Sequence, residues 1–498
     1  MTSNSFAMGT NAIAHGPYDH YDQVLVDIAA YVFRYWIDES SEAWQRARIA
    51  LFDALSRVLE TLKQSPEARN IIGPVIPDTK VPGGFLLPGT DHELDPLKGA
   101  FDLGLLIRYL DNNEAFPGAD WGHPLDNIGA ILSVADWCSR ESRDCRQQAY
   151  TMNAVLRAII MAYEIQGCLQ ARNAFHLLGL DHTFLVKVAS TAVVSWLLGS
   201  TEAQTIAALS HAFMDGAPLR VFRHFSNNVP RKGWASGDAC MRAVHLAMLT
   251  NRGQPGIPTV LSDPCCGFYK TLLYGNRIRV PQPYQSWVME NVFLKIHTVD
   301  AHGASAIEAA ETVGHQLRAR GFSAERDIAY IRVRTQQAAM FLNKQGPLHN
   351  SADRDHCMQY MIAVVLLKGA MIEIGDYQDK SPWAQDRRVE ALRKRIELVE
   401  DMQFSLDYDD SEKRSLSSAL KVILKDGTDL DEVLVEYPAG HPSREDTLDL
   451  VMSKFEKNLL AWYSDRDLTD EILKFAGQDE DDFRNTCVCD FIDAWRPE

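Results

Sequence analysis

The sequence predicts a mainly α protein, a large all-helical domain that carries an inserted, smaller α+β lid domain. Three observations predict it. Apolar residues recur every three or four positions through most of the first 283 residues. Two alternating strings, DIAYIRVRTQ and LKVILKDGTDLDEVLVEY, then break that period. Helical spacing returns from Arg444 onward. The expected divisions are therefore 1–283 for the helical domain, 284–440 for the lid, and 441–498 for C-terminal helices that pack back on the first domain.

Taken in order, DQVLVDIAAYVFRYW and AWQRARIALFDALSRVLETL read as two amphipathic helices. The prolines and glycines of PVIPDTKVPGGFLLPGTDHELDP forbid regular helix. LKGAFDLGLLIRYL and IGAILSVADWC are helix-like and flank a polar stretch, Leu110 to Gly129. Helical patterns resume in AYTMNAVLRAIIMAYEIQGCLQ, DHTFLVKVASTAVVSWLLG, EAQTIAALSHAFMD and ASGDACMRAVHLAMLTNRG. In the lid, the Asp-Gly pair inside LKVILKDGTDLDEVLVEY is a strong hairpin signal. EDTLDLVMSKFEKNLLAWY and DEILKFAGQ supply the returning helices.

A chain of 498 residues with 46% apolar side chains is too long for one compact core. Its net charge of −17 argues against a nucleic-acid partner, which needs a basic face. No uninterrupted apolar window of roughly eighteen residues exists, so no membrane span is expected. No lysine or arginine precedes Arg34 and no apolar signal region is present, so the expected location is the cytosol, with the mitochondrion as the alternative. The nine cysteines lack CxxC spacing, and HExxH, GxGxxG and Walker patterns are absent, so neither a metal nor a cofactor is expected.

The chemistry concentrates in polar loops between apolar elements, where function usually sits. LDNNEAFPGADWGHPLDNIG holds four acids and one histidine, and Asp111 with His123 looks like a base and acid pair. Asp181 and His182 open an apolar helix, where exposed amides favour anions. PLRVFRHFSNNVPRKGWASGDA brings Arg220, Arg223, His224, Arg231 and Lys232 together in an acidic protein. NVFLKIHTVDAHGASAIEAAE supplies Lys295, His297, Asp300 and His302 at the junction of the two domains. GPLHNSADRDHCMQYM adds Arg354, His356 and Tyr360. This inventory suits proton abstraction beside a carboxylate or carbonyl, followed by loss of a leaving group.

The strings WGHPLDNIGAIL, EIQGCL, GLDHTFLVKVASTAVV, RKGWASGDA, GPLHNSADRDHCMQYM, FSLDYDDSEKRS and DGTDLDEVLVEYPAGH resemble the MmgE/PrpD family, and within it the 2-methylcitrate dehydratases. The resemblance implies an active site between helical domain and lid, a homodimer, and catalysis without a metal. It implies that Asp111, His123 and Tyr360 are catalytic, and that His182, Lys232, Lys295 and His302 meet the substrate. Arg223, Arg231 and Arg354 complete the expected set of groups for a tricarboxylate. The implied reaction removes water from 2-methylcitrate or a longer 2-alkylcitrate to give the 2-alkylaconitate. The alternatives are a cis-aconitate decarboxylase of the same fold and an inactive binding homologue. The chain departs from the family at LDNNEAF, where Ala115 replaces a threonine and Phe116 a tryptophan, and at the shortened KIHTVDAH. Both changes are expected to enlarge the alkyl pocket, and each methylene it buries is worth about 0.8 kcal/mol.

Overall fold

The computed structural model describes residues 20–37, 40–144, 149–214, 217–223, 229–281, 283–410 and 413–497. His224 lies outside them. The first unit is built on the Pro96–Arg108 helix, which the Asp95 side chain caps by accepting from the amides of Leu97 and Lys98, with Pro96 opening the first turn. It crosses the Ile128–Asp144 and Arg231–Asn251 helices at three glycines. A Cβ on Gly129 would lie 2.8 Å from the Gly104 Cα, and one on Gly104 would lie 2.9 Å from the Gly237 Cα. The three backbones touch, which no larger residue at these positions permits. The Thr183–Leu197 helix is apolar on nearly every side and is buried accordingly.

The first core runs from Leu25 to Leu294 and resumes at Val451 through Trp495. The change from this core to the second falls at Phe293 and Leu294, later in the chain than the 283 boundary expected from the loss of helical period. The Thr447–Trp462 helix returns to the Ser41–Gln64 helix. There Phe455 meets Phe52 with ring centroids 5.0 Å apart, and Asn458 donates to the Ser56 hydroxyl at 2.9 Å.

The second core gathers residues from Phe293 to Leu430. Apart from a two-residue ribbon in the first unit, β1 (Phe85–Leu86) with β2 (Glu93–Leu94), the named strands belong to it. They are β3 (Ile328–Thr335), β4 (Ile396–Glu400), β5 (Ser418–Leu424) and β6 (Val433–Val435), in the order β4-β3-β5-β6. β3 pairs parallel with β4, with Ile331 opposite Ile396, and antiparallel with β5, with Val333 opposite Leu420. The Ala304–Ala319 helix packs on β5 and on the Met358–Lys368 helix. The expected hairpin forms at Asp426-Gly427, where Gly427 has φ +87° and the Leu424 amide donates to the Thr428 carbonyl at 2.8 Å. β4 was not expected: five residues carry too short an alternation, and their partner lies far back along the chain.

The two connections of the second unit run side by side. Ala115 and Phe293 exchange both backbone hydrogen bonds at 2.9 Å, and the Leu294 amide donates to the Gly440 carbonyl at 2.9 Å. Gly440 has φ +98°, and a Cβ there would sit 1.8 Å from the Leu294 carbonyl oxygen. Gly440→Ala should therefore destabilise the protein by roughly 2 to 4 kcal/mol, from left-handed strain and forced separation of the two segments. Urea unfolding measures it, and an unchanged midpoint would show that these segments part without cost.

Candidate active site

Arg108 ends its helix, and the chain turns sharply at Asp111, whose φ of +56° is uncommon for a residue with a side chain. The turn aims the Asp111 carboxylate back at Arg108. The Arg108 guanidinium donates through Nη1 to Asp111 and, at 2.8 Å, to the Asn113 side chain. Its Nη2 lies 2.9 Å from Nε2 of His123. The Glu114 carbonyl accepts from His123 Nδ1 at 2.5 Å, so the proton of the neutral ring sits on Nδ1 and Nε2 presents a lone pair to Arg108. Lys232 Nζ lies 3.7 Å from the other Asp111 oxygen, and Lys295 Nζ donates to the Asp111 backbone carbonyl at 3.2 Å. The Lys295 carbonyl is itself held by Lys454 of the returning helix, at 2.5 Å.

Burial disfavours the Asp111 charge, yet Arg108, Lys232 and Lys295 outweigh it and hold the carboxyl well below the ordinary range. Burial, then the charges of Arg108 and His182, push His123 well below the ordinary imidazole value. The resting pair is a carboxylate and a neutral imidazole.

The second unit faces this pair. Lys232 lies 3.9 Å from Asp355, which hydrogen-bonds His356. Burial opposes a charge on His356, but the Asp355 hydrogen bond and charge prevail and raise its pKa. Asp300 accepts from His302 Nδ1 at 2.9 Å, and burial of Asp300 is outweighed by His302, His356 and Lys295, which hold it low. The His302 ring lies 4.2 Å from that of Trp121 and 5.4 Å from Phe341, which is 49% exposed. The Trp121 indole donates to the Tyr408 hydroxyl at 3.2 Å.

His182 packs edge-on to His123 at 5.3 Å, with both its nitrogens buried and lacking a hydrogen-bond partner. The helix head expected to receive an anion is occupied by Asp181 itself, which accepts from the Thr183 amide at 3.2 Å and from Arg223 at 3.1 Å. Arg223 is thus tied to Asp181. Arg231 stacks on Trp234 at 4.3 Å. Arg354 is buried and donates to the Tyr377 carbonyl at 2.6 Å and to Asp379. Tyr360 is buried in the second core and donates to the Asp376 carbonyl at 2.8 Å. Ala115 and Phe116 are buried at the junction, where Phe116 meets Trp287 edge-on at 5.6 Å.

The structure therefore brings together Asp111, His123, His182, Lys232, Lys295 and His302, keeps Arg223 beside them in its pair with Asp181, and engages Arg231, Arg354, Tyr360, Ala115 and Phe116 elsewhere. Sequence reasoning missed Arg108 and Asn113. An arginine inside the apolar run GLLIRYL was the available signal for the first, since a cation on a buried face needs anionic partners.

The mainly helical chain matches two family models: MmgE/PrpD N-terminal domain over residues 26–281, and MmgE/PrpD C-terminal domain over residues 297–475. The chain belongs to the MmgE/PrpD family. It is 53% identical to the 2-methylcitrate dehydratase-like protein oryR of Aspergillus oryzae over 96% of each chain. It is 48% identical to the alkylcitrate dehydratase phiI of a fungal species over 90% of each. It is 43% identical to the mitochondrial 2-methylcitrate dehydratase of Yarrowia lipolytica, over 95% of this chain and 90% of the relative. Among the described residues no helix is long and apolar enough to cross a membrane.

Burial lowers His297 and His441 to about 4 in the folded protein. An unfolded chain protonates histidine near pH 6.5, so between roughly pH 6.5 and 4 these two sites bind more protons when unfolded and their contribution to stability falls with pH, while Asp102, Asp126 and Asp136, raised by burial to about 6, 7 and 6, act in the opposite direction. Asp111 and Asp300, held low, add their loss only below roughly pH 4. The difference in urea midpoint between the wild type and a His297→Gln, His441→Gln variant should decline from pH 6.5 downward; a difference that stays constant to pH 4 would mean that both imidazoles protonate freely in the folded state.

Proposed function

We propose that the protein dehydrates a 2-alkylcitrate, 2-methylcitrate or a longer homologue, to the corresponding 2-alkylaconitate. The observation that carries the reading is the Asp111 and His123 pair, set among Lys232 and Lys295 where the two cores meet. The names of the relatives support it. A tricarboxylate brings about three negative charges, and these lysines supply local positive potential in a chain of net charge −17.

The chemistry follows from the protonation states. Asp111 and His123 are both unprotonated; Nε2 of His123 takes the proton from the carbon that bears the alkyl group, and the Asp111 carboxylate stabilises the imidazolium that forms. The charge that develops on the neighbouring carboxylate is stabilised by Lys232 and Lys295. His356, favoured in its charged form by Asp355, donates its own proton to the departing tertiary hydroxyl, which leaves as water. Tyr360, hydrogen-bonded within the second core, has no part in this scheme. Trp121, Phe341 and Tyr408 offer the alkyl group an apolar wall, on which each buried methylene gains about 0.8 kcal/mol. The second unit acts as an inserted lid on the helical one, hinged where Leu294 passes Gly440, opening for substrate and closing to exclude water.

The test follows the ultraviolet absorbance of the conjugated product with 2-methylcitrate and its butyl and hexyl homologues. Asp111→Asn, His123→Gln and His356→Asn should each lose at least about a hundredfold in turnover. A near-normal rate removes that residue from the scheme, and no turnover with any homologue removes the reading.

A further inference from the structure

Arg108 touches both members of the Asp111 and His123 pair. Its Nη1 donates to Asp111 and Asn113, and its Nη2 faces the His123 lone pair at 2.9 Å. While that contact stands, His123 has no free nitrogen with which to accept a proton, since Nδ1 already carries one and donates it in a hydrogen bond to the Glu114 backbone carbonyl. The resting site is capped.

A second seat for the guanidinium lies at Nε, on the edge that it shares with Nη2. Arg108 Nε and Asp126 Oδ2 are both buried without a hydrogen-bond partner, and they stand 3.9 Å apart. Asp126 Oδ1 accepts from Asn113 Nδ2 at 3.0 Å, and the same Asn113 accepts from Arg108 at 2.8 Å, so the two seats share a fixed neighbour. A pivot about Nη1, which Asp111 and Asn113 hold, that closes the gap by about 1 Å satisfies both orphaned atoms and draws Nη2 back from His123.

We infer that Arg108 is a two-position clamp that caps His123 in the empty site and swings toward Asp126 when a substrate carboxylate arrives. The inference rests on reading His123, beside Asp111, as the proton acceptor. The drive is a difference between acceptors. A carboxylate held by Lys232 and Lys295 offers Nη2 a charge-assisted hydrogen bond, roughly twice as strong as the one to a neutral imidazole. Arg108 then exchanges His123 for substrate, keeps Asp111 through Nη1, and gains Asp126 through Nε. Burial raises Asp126 to about 7, so near neutrality it accepts the guanidinium by settling as the carboxylate.

The charged and titratable groups that face this set come from every neighbouring element. They are Asp111, Glu114 and Asp126 in the loop, Lys232 on the Arg231–Asn251 helix, His182, Asp181 and Arg223 beside the Thr183–Leu197 helix, and Lys295 at the junction. Arg108 acts through His123, so it is a positioning residue whose departure sets when that nitrogen becomes available.

The experiment uses full-length protein labelled with 15N-histidine, with the His123 signal identified by its loss in His123→Gln. The probe is propane-1,2,3-tricarboxylate, which carries three carboxylates and no hydroxyl to lose. In the wild type the probe should shift the His123 Nε2 resonance to that of an uncapped, unprotonated nitrogen. In Asp126→Asn, which keeps the shape but removes the anionic seat, the shift should be absent, and kcat should fall at least about tenfold with KM within about threefold. In Arg108→Lys, whose single ammonium cannot span the three acceptors, His123 should be uncapped without the probe. A wild-type resonance that ignores the probe overturns the clamp. So does wild-type kcat in Asp126→Asn, or a capped His123 in Arg108→Lys. Failure of the wild type to turn over any 2-alkylcitrate would instead sink the dehydratase reading, and the resonance measurements would still decide the clamp.

Discussion

Three helices meet backbone to backbone at Gly104, Gly129 and Gly237, and the site depends on that contact. The first two glycines lie on the helices at either end of the polar loop, so their contact closes the loop on itself. Closing it brings Asp111, near its start, within reach of the same arginine as His123, near its end. The third glycine brings in the Arg231–Asn251 helix, whose first turn carries Lys232 to the second Asp111 oxygen. A bulkier residue at the crossing would spread these groups by more than a hydrogen bond can tolerate.

Beneath the loop the protein buries more charge than stability alone favours. Asp53 lies fully buried against Arg57 and Lys454, while Glu114 and Asp126 are buried with oxygens that find no donor. Burial lowers Lys454 to about 8 and pushes Glu114 well above the usual carboxylate range. Such groups are costly in an apolar surround, and replacing buried ion pairs by apolar residues is often stabilising. Their placement has a use here. Lys454 fixes the backbone of Lys295, and Asp126 and Asn113 flank Arg108, so the buried charges set the positions of the groups above them.

The mainly helical character was legible because helical period is a local property, repeated over many turns between Tyr21 and Asn251. The Asp-Gly hairpin was legible for the same reason, since a turn needs only its own residues. β4 was not, because a five-residue strand paired in parallel takes its stability from β3, distant in sequence. Asp111, His123 and Lys232 stood out as charges in Gly- and Pro-rich loops, whereas Arg108 was hidden on an apolar helix, where its sequence neighbours say nothing of its partners. Tyr360 and Arg354 looked as exposed to chemistry as His356, four positions or fewer away. The fold turned the first two toward Asp376, Tyr377 and Asp379 within the second unit, and only His356 toward Asp355 beside Lys232.

By itself the sequence determined which segments are helical, which loops carry charge, and which family these loops resemble, because those properties reside in neighbouring residues. The tertiary structure alone decided which charges meet: Arg108 with His123, Lys295 with the Asp111 backbone, Lys454 with Lys295. A hydrogen bond needs a donor within about 3 Å of its acceptor, and for residues separated by tens or hundreds of positions that distance is set only when the cores between them pack.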